Sequence, residues 1–338
     1  MAQPMQDALD ALEDAVGDID AYAARELGYD SVEQMQAGLM GLQIDAIASA
    51  IYQMKERGKG VIIADQTGIG KGRQAAAIIR WAVEHDKIPV FVTVKPSLFT
   101  DIYVNDLAGI GYRDKVQPYI LNLGESIKDE NDDRLFLTRA EDRRAGIRAL
   151  TGGDMPAGRN AIFMTYSQIN VANDQRAAIA GIASRAVFIL DESHNAGGAS
   201  ATGAYIRGVL GESAGAVYLS ATYAKRPDNM PVYFKTDIGE AIADDETLGV
   251  AMANGGLPLQ TVVANNLVRA GQMFRRERSF DGISIVSKIA TEKRAEHEAL
   301  SDATTTALRA IVAAAKPLAD DAGKRAEKVL AQRETDKV

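Results

Sequence analysis

Residues 61–73 read VIIADQTGIGKGR. The apolar run at the start has the β-branched content of a buried strand. Gly68, Gly70 and Lys71 follow, and a helical stretch then carries Ala75, Ala76, Ile78, Ile79 and Trp81. Strand, glycine loop, lysine and helix is the order that wraps backbone N–H groups around phosphates. The helix N-terminus adds favourable partial charge, and the lysine reaches the terminal phosphates. Two positions depart from the spacing G-x-x-x-x-G-K-[ST]. Asp65 stands where the first glycine is usual, and Gly72 stands where a hydroxyl normally meets Mg²⁺. A glycine-rich turn with a chance lysine would read similarly, so the loop is weighed with its surroundings.

Outward from the loop, apolar β-branched runs recur at 88–94 (IPVFVTV), 118–122 (PYILN), 160–166 (NAIFMTY), 186–190 (AVFIL) and 216–220 (AVYLS). Helical stretches separate most of them, and LQIDAIASAIYQMKERG (42–58) precedes the loop. Buried strands alternating with helices predict an α/β domain with a mostly parallel central sheet. Residues 124–160 are polar and carry the acidic run Asp129, Glu130, Asp132, Asp133, which reads as an insertion or a long surface loop. Residues 292–337 are rich in alanine and charge, which predicts long helices with a break at Pro317.

Two further strands end in chemistry. Asp191, Glu192, Ser193 and His194 follow the fifth run, and Ser220, Ala221 and Thr222 close the sixth. A carboxylate at a strand tip beside a phosphate loop can hold Mg²⁺, and its neighbour can orient or deprotonate water. Gln43 lies upstream, where an amide could read the adenine edge. Each feature alone is weak, because acidic turns, small hydroxyl residues and solvated glutamines are common. Their order is not. Gln43, the GIGKG loop, DESH and SAT in succession resemble superfamily 2 helicases and translocases.

The resemblance sharpens with GIGKGR, VTVKPSLFTDIYVNDLAGIG (92–111), MTYSQI (164–169), LDESHNAGG (190–198), LSATYAKRPDNM (219–230) and GGLPLQTVVANNLVRAGQMFRRERSFDGISI (255–285). Together these are similar to the strawberry notch family, in which glycine after the P-loop lysine is usual. The resemblance covers about residues 40–290. It implies a first RecA-like domain of a P-loop NTPase, with ATP and Mg²⁺ as cofactors. Gln43 would contact adenine, and Thr67, Gly68, Ile69, Gly70, Lys71, Gly72 and Arg73 would form the phosphate cradle. Asp191 would hold Mg²⁺, Glu192 would activate water, and Lys71 would complete the catalytic set. His194, Ser220, Ala221 and Thr222 would couple the site to nucleic acid. Lys95, Pro96 and Ser97, with Thr165, Tyr166 and Ser167, would touch its backbone, DNA being the expected partner. Water or Thr67 would fill the ligand position that Gly72 leaves open, so Gly72→Ser is expected to leave ATP binding intact.

The formal net charge of −8 would argue against nucleic acid if it were spread over the chain. It is not. Residues 1–40 hold nine acids against Arg25, while the other 298 residues balance 37 acids with 37 bases. The acidity belongs to a segment where Met5, Leu9, Leu12, Val16 and Ile19 fall at helical spacing, which predicts an amphipathic helix over 5–26. It reads as a solvated helix on the body or as a docking arm. The domain organisation expected is therefore an acidic helical arm (1–40), a RecA-like domain (41–290, its family-specific extension from about 225) and a C-terminal helical segment (291–338).

With no cysteine, a disulfide framework, a thiolate metal site and a cysteine nucleophile are excluded. No apolar run is long enough to span a membrane, and the N-terminus lacks the basic and apolar regions of a signal peptide. The expected location is the cytoplasm, a host's cytoplasm or a virion if phage-encoded. No Q-x-x-G-R-x-x-R segment occurs. Arginines of that kind stabilise the transferring phosphoryl group, so a second RecA-like domain, in cis or in trans, is expected as a partner. The cluster Arg275, Arg276, Arg278 reads as a solvated or internally paired turn, or as a nucleic-acid or phosphate contact. The competing reading is a structural component of a phage or DNA-modification and anti-restriction assembly that keeps the fold. A small-molecule kinase does not account for DESH followed by SAT.

Overall fold

The computed structural model describes residues 2–170, 172–196, 201–222, 227–241, 245–277 and 291–335. Nine strands are seen among them: β1 (Val61–Ile63), β2 (Ile88–Thr93), β3 (Pro118–Ile120), β4 (Ser126–Lys128), β5 (Arg134–Leu137), β6 (Ala161–Thr165), β7 (Ala186–Asp191), β8 (Gly215–Leu219) and β9 (Met273–Phe274). Seven of them form one sheet in the order β3-β6-β2-β7-β8-β1-β9, and every pairing in it is parallel. All six strands expected from the apolar runs are present. This is a RecA-like α/β fold with a parallel central sheet.

The sheet is covered on both faces, so its strands are apolar throughout rather than alternating. Successive residues still point to opposite sides. Val61 and Ile63 join the cluster that includes Ile47, Ile51, Ile78 and Ile79, whereas Ile62 joins the one that includes Ile179, Ile206 and Val268. The first cluster lies under the helices α4 (Gly41–Arg57) and α5 (Lys71–Glu84). The second lies under the helices Asp174–Gly181 and Ala201–Glu212 and the helical span Asp245–Arg269, which is kinked at Gly256 (φ +54°).

Parallel registry decides where the site falls. Ile63 and Asp191 both pair with Leu219, Val92 pairs with Leu190, and Thr93 pairs with Thr165. The loops that begin at Ala64, Val94, Tyr166, Glu192 and Ser220 therefore leave the sheet along one edge. Ligands of such sheets bind outside the carboxyl ends of the strands.

The acidic N-terminal stretch forms helices α1 (Ala2–Val16), α2 (Ile19–Glu26) and α3 (Val32–Gln36). Gly17, at φ +79°, and the Asp18 cap, whose carboxylate accepts from Ala21 N at 2.7 Å, divide the expected single helix in two. Leu12, Tyr22, Leu27, Met35 and Leu39 are buried in the first core cluster. Residues 1–40 thus belong to the compact unit Met1–Arg278. Arg80 of α5 fastens them: Nε donates to Leu27 O (2.5 Å), Nη2 to Gly28 O (2.9 Å) and Nη1 to Ile110 O (3.2 Å). Its guanidinium lies 3.5 Å from the Tyr29 ring centroid and 4.7 Å from that of Tyr112.

Residues 124–160, expected as irregular, hold the β4–β5 antiparallel hairpin and a helix, Ala140–Thr151. The strands are too short for periodicity to register, and the acidic run is the hairpin turn. Among the described residues the second unit, Ser279–Val338, holds a short 3-10 turn, Thr291–Lys293, and a long helix, Arg294–Thr335, which Pro317 does not interrupt. An internal proline removes one helical hydrogen bond without having to end the helix.

Candidate active site

The loop between β1 and α5 is shaped by Gly68 (φ +95°) and Gly70 (φ +94°), both in the left-handed region that costs glycine nothing. Thr67 and Gly68 are exposed, whereas Ile69 is buried and anchors the loop. Lys71 opens α5, and its Nζ donates to Asp65 O at 2.7 Å. Burial holds its ammonium below the ordinary lysine range, opposed by the charges of Glu192, Asp65 and Asp191.

Gln43 lies at the third position of α4 and is only 2% exposed. Its Oε1 accepts from Met40 N at 3.0 Å, capping the helix, and its Nε2 donates to Ile69 O at 2.9 Å. A Cβ on Gly70 would overlap that Nε2, so glycine there admits the amide. The expected contact of Gln43 with adenine competes with these bonds.

Asp65 is fully buried. Its Oδ1 accepts from Arg276 N and Arg276 Nε, both at 3.0 Å. Its Oδ2 accepts from Arg276 Nη2 at 2.5 Å and from Gln74 Nε2 at 3.1 Å. Arg276 Nη1 donates to Leu42 O, and the guanidinium lies 5.3 Å from the Phe274 ring centroid. Of the readings open for the basic turn, Arg276 is internally paired and Arg275 forms an exposed pair with Glu277 at 3.3 Å; Arg278 lies outside the described residues. The missing first glycine is thus an anchor. A two-residue strand, β9, carries Arg276 there: Ala64 N donates to Phe274 O and Gln66 N to Arg276 O. Nothing in so short a strand announces it in sequence.

Gly72 has a steric reason as well. A Cβ at that position would overlap the carboxylate of Asp106, which sits in a π-helical turn (Asp101–Leu107) packed on α5. Burial pushes the Asp106 carboxyl up to about 6, against the pull of Arg73, whose Nε is 3.6 Å from Oδ1. The space for a serine hydroxyl is taken. Gly72→Ser is therefore expected to displace Asp106 and to cost about 1–3 kcal/mol of stability, a cost separate from the expectation that ATP binding stays intact. Thermal unfolding of the variant checks this, and an unchanged midpoint would refute it.

Asp191 ends β7 with its Oδ2 accepting from Thr93 Oγ1 at 2.7 Å and its carbonyl accepting from Tyr166 Oη at 2.8 Å. Burial raises its pKa, the Thr93 bond opposes this, and the Glu192 charge raises it further. Thr93 is a positioning residue that no motif revealed. Glu192 sits at φ +48°, a left-handed conformation that costs a non-glycine residue of order 1 kcal/mol. His194 Nδ1 lies 2.9 Å from Ser220 Oγ, 3.3 Å from Glu192 Oε2 and 3.4 Å from Thr222 Oγ1. One imidazole therefore links the ends of β7 and β8. Ser220 is buried, while Ala221 is half-buried and Thr222 is exposed.

Along the same edge, Lys95 and Ser97 are exposed and Pro96 is half-buried. Thr165 and Tyr166 are turned inward, with Thr165 held by Asn122 (Nδ2 to Oγ1, 2.8 Å), and only Ser167 of that triplet is exposed.

These residues fit a nucleotide and its metal. Two left-handed glycines shape the loop, Lys71 opens the helix behind it within reach of the charges of Asp191 and Glu192, and those two residues supply the one or two carboxylates with which Mg²⁺ usually joins phosphate oxygens. Among the described residues no group of three or more metal-binding side chains occurs, and no helix is long and apolar enough to cross a membrane.

Comparison with solved structures finds the Sulfolobus solfataricus SWI2/SNF2 ATPase core in complex with dsDNA, at 14% identity and a TM-score of 0.49, covering 72% of this chain and 45% of that one. The Sulfolobus solfataricus SWI2/SNF2 ATPase core domain gives 13% identity and 0.47, covering 73% and 45%. The ATP-dependent Type ISP restriction-modification enzyme LlaBIII bound to DNA gives 16% identity and 0.36, covering 54% and 12%. The chain thus spans less than half the length of each of these proteins. No curated protein matches it. The sequence profile of the P-loop containing NTP hydrolase pore-1 family matches residues 20–300, across the loop, the carboxylates and the sheet that brings them together, and the chain belongs to that family.

Proposed function

We propose that this chain is the ATP-binding half of a superfamily 2 nucleic-acid motor of strawberry notch type. The observation that carries the reading is the meeting of Lys71 with Asp191 and Glu192 at one end of the sheet, joined through His194 to Ser220. A scaffold has no need of that set. Lys71 would exchange its bond to Asp65 O for the terminal phosphates, Asp191 would fix the metal's position, and Glu192 would orient water and take up its proton as it attacks. Mg²⁺, when bound, would neutralise phosphate charge. The exposed Lys95, Ser97 and Ser167 would meet the DNA backbone, which needs only a few such contacts. The residues 41–290 would form the first RecA-like domain, working beside a second one that supplies arginines. Such arginines are worth about 10³–10⁵ in rate in comparable systems.

The test has two parts. Lys71→Ala should abolish binding of a fluorescent ATP analogue while leaving the fold intact by circular dichroism. DNA-stimulated phosphate release should be slight for the chain alone and should rise when a candidate second domain is added. Unaltered binding by Lys71→Ala would remove the nucleotide reading. Robust turnover by the chain alone would remove the need for a second domain.

A further inference from the structure

We infer that a cavity on the flank of the sheet, apart from the phosphate loop, binds a small zwitterion, a molecule with an ammonium group and a carboxylate. The cavity lies between β3, the end of β5, the helix Ala140–Thr151 and the loop before β6. It measures about 480 Å³, a volume that takes a small molecule. β3 and β1 are five steps apart in the sheet order, about 24 Å at the usual strand spacing, so this place is independent of the nucleotide reading.

Four polar side chains line the cavity, Tyr119, Thr138, Asp142 and Arg159. Polar groups withdrawn from solvent are normally spent on the protein, and those around the cavity are. Arg143 Nη1 donates to Leu121 O at 2.9 Å, Thr151 Oγ1 to Ile147 O at 2.8 Å and Asn160 Nδ2 to Lys115 O at 2.8 Å. The four that face the cavity are idle. Thr138 is only 6% exposed, yet among the described residues its hydroxyl, the Asp142 carboxylate and the Arg159 guanidinium make no hydrogen bond and no ion pair. Tyr119 Oη reaches only Arg143 O, at 3.5 Å, and Arg159 only the Phe136 ring, 5.2 Å from its centroid. The helix turns small residues to the same space. Ala145 and Ala149 leave it open, and a Cβ on Gly146 would overlap the Tyr119 phenol.

The charges name the ligand class. Asp142 and Arg159 are not paired with each other, so each is free to meet an opposite charge on a guest. A polyanion would be repelled by Asp142 and a polycation by Arg159. An apolar guest would leave four polar groups without water or partner. A zwitterion satisfies both charges, and the phenol and hydroxyl add neutral hydrogen bonds.

The experiment is calorimetric titration of the full chain with glycine, γ-aminobutyrate and ε-aminocaproate, which carry the two charges at growing separation. Hexylamine and hexanoate carry one charge each. One zwitterion should bind at least about tenfold more tightly than either single-charge probe, the worth of one added charge-assisted hydrogen bond. Asp142→Asn and Arg159→Gln keep the shape of each side chain and should each weaken that zwitterion by about tenfold or more. Circular dichroism and the unfolding midpoint establish that both variants are folded. No binding of any zwitterion at about 10 mM would overturn the inference. So would single-charge probes that bind as tightly as the best zwitterion, or zwitterion binding that survives unchanged in either folded variant.

Discussion

Arg276→Ala is expected to destabilise the compact unit by about 3–5 kcal/mol and to abolish nucleotide binding, because it leaves a buried carboxylate without its charge partner. Asp65 has no exposure to solvent, and three of its four hydrogen bonds come from Arg276. The backbone N–H of residue 276 and Gln74 Nε2 would remain, two neutral donors against a full charge. The guanidinium also ties Leu42 O at the start of α4, whose Gln43 holds Ile69 O, so the variant loosens both the start of the loop and the helix that braces it. Trp81, the chain's one tryptophan, is buried on α5 and reports unfolding of this unit by fluorescence. Denaturant titration gives the stability change, and ATP titration of the folded fraction gives the functional one. A loss below about 1 kcal/mol would mean that the pair is a surface-like ion pair after all. The pair as a whole is dispensable in principle, since replacing both charges together avoids the unpaired ion. Asp65→Gly with Arg276→Met restores the usual first glycine and should recover much of the stability and the binding.

Arg80→Ala is the second large effect, about 3–5 kcal/mol, and it acts on the other side of α5. The carbonyls of Leu27 and Gly28 lose the arginine as donor, Ile110 O keeps only Tyr29 Oη (2.9 Å), and a guanidinium held against two tyrosine rings leaves a gap. Each unmet buried acceptor costs on the order of 1 kcal/mol, and a desolvated cation–π contact contributes about as much again. The midpoint of thermal unfolding should fall by roughly 10 °C for a unit of this size. Limited proteolysis should then cut first in 26–40, where the chain has lost its tie. Arg80→Lys keeps the charge but cannot reach three carbonyls, so it should recover only part of the loss. A variant that melts like the wild type would show that the core residues of α2 and α3 hold the segment without the arginine.

The strand tips were legible because they are local. A β-branched run, two glycines and a lysine specify strand, loop and helix within thirteen residues, and DESH and SAT sit directly behind apolar runs of the same kind. The helical character of the acidic segment was legible for the same reason, as a repeat of three and four, but not its division at Gly17 and Asp18 into two helices. The hairpin in 124–160 and the strand β9 were not, because strands of two to four residues leave no period to read. The two odd positions of the loop were visible as departures, and their meaning was not. Asp65 and Arg276 are 211 residues apart, and only the placing of β9 beside β1 brings them together. Gly72 faces Asp106 through the packing of a π-helical turn on α5, a close approach that no spacing encodes.

The sequence alone determined the α/β class, the order of the chemistry-bearing strand ends and the confinement of net charge to residues 1–40, since each follows from local pattern or from counting. The tertiary structure decided what those residues touch. It showed the acidic segment built into the core rather than standing off it, the first P-loop position serving as an anchor, and the Gln43 amide turned to the loop. Hydrogen-bond partners are settled by which backbones approach within about 3 Å, and that approach is a property of sheet order and helix packing.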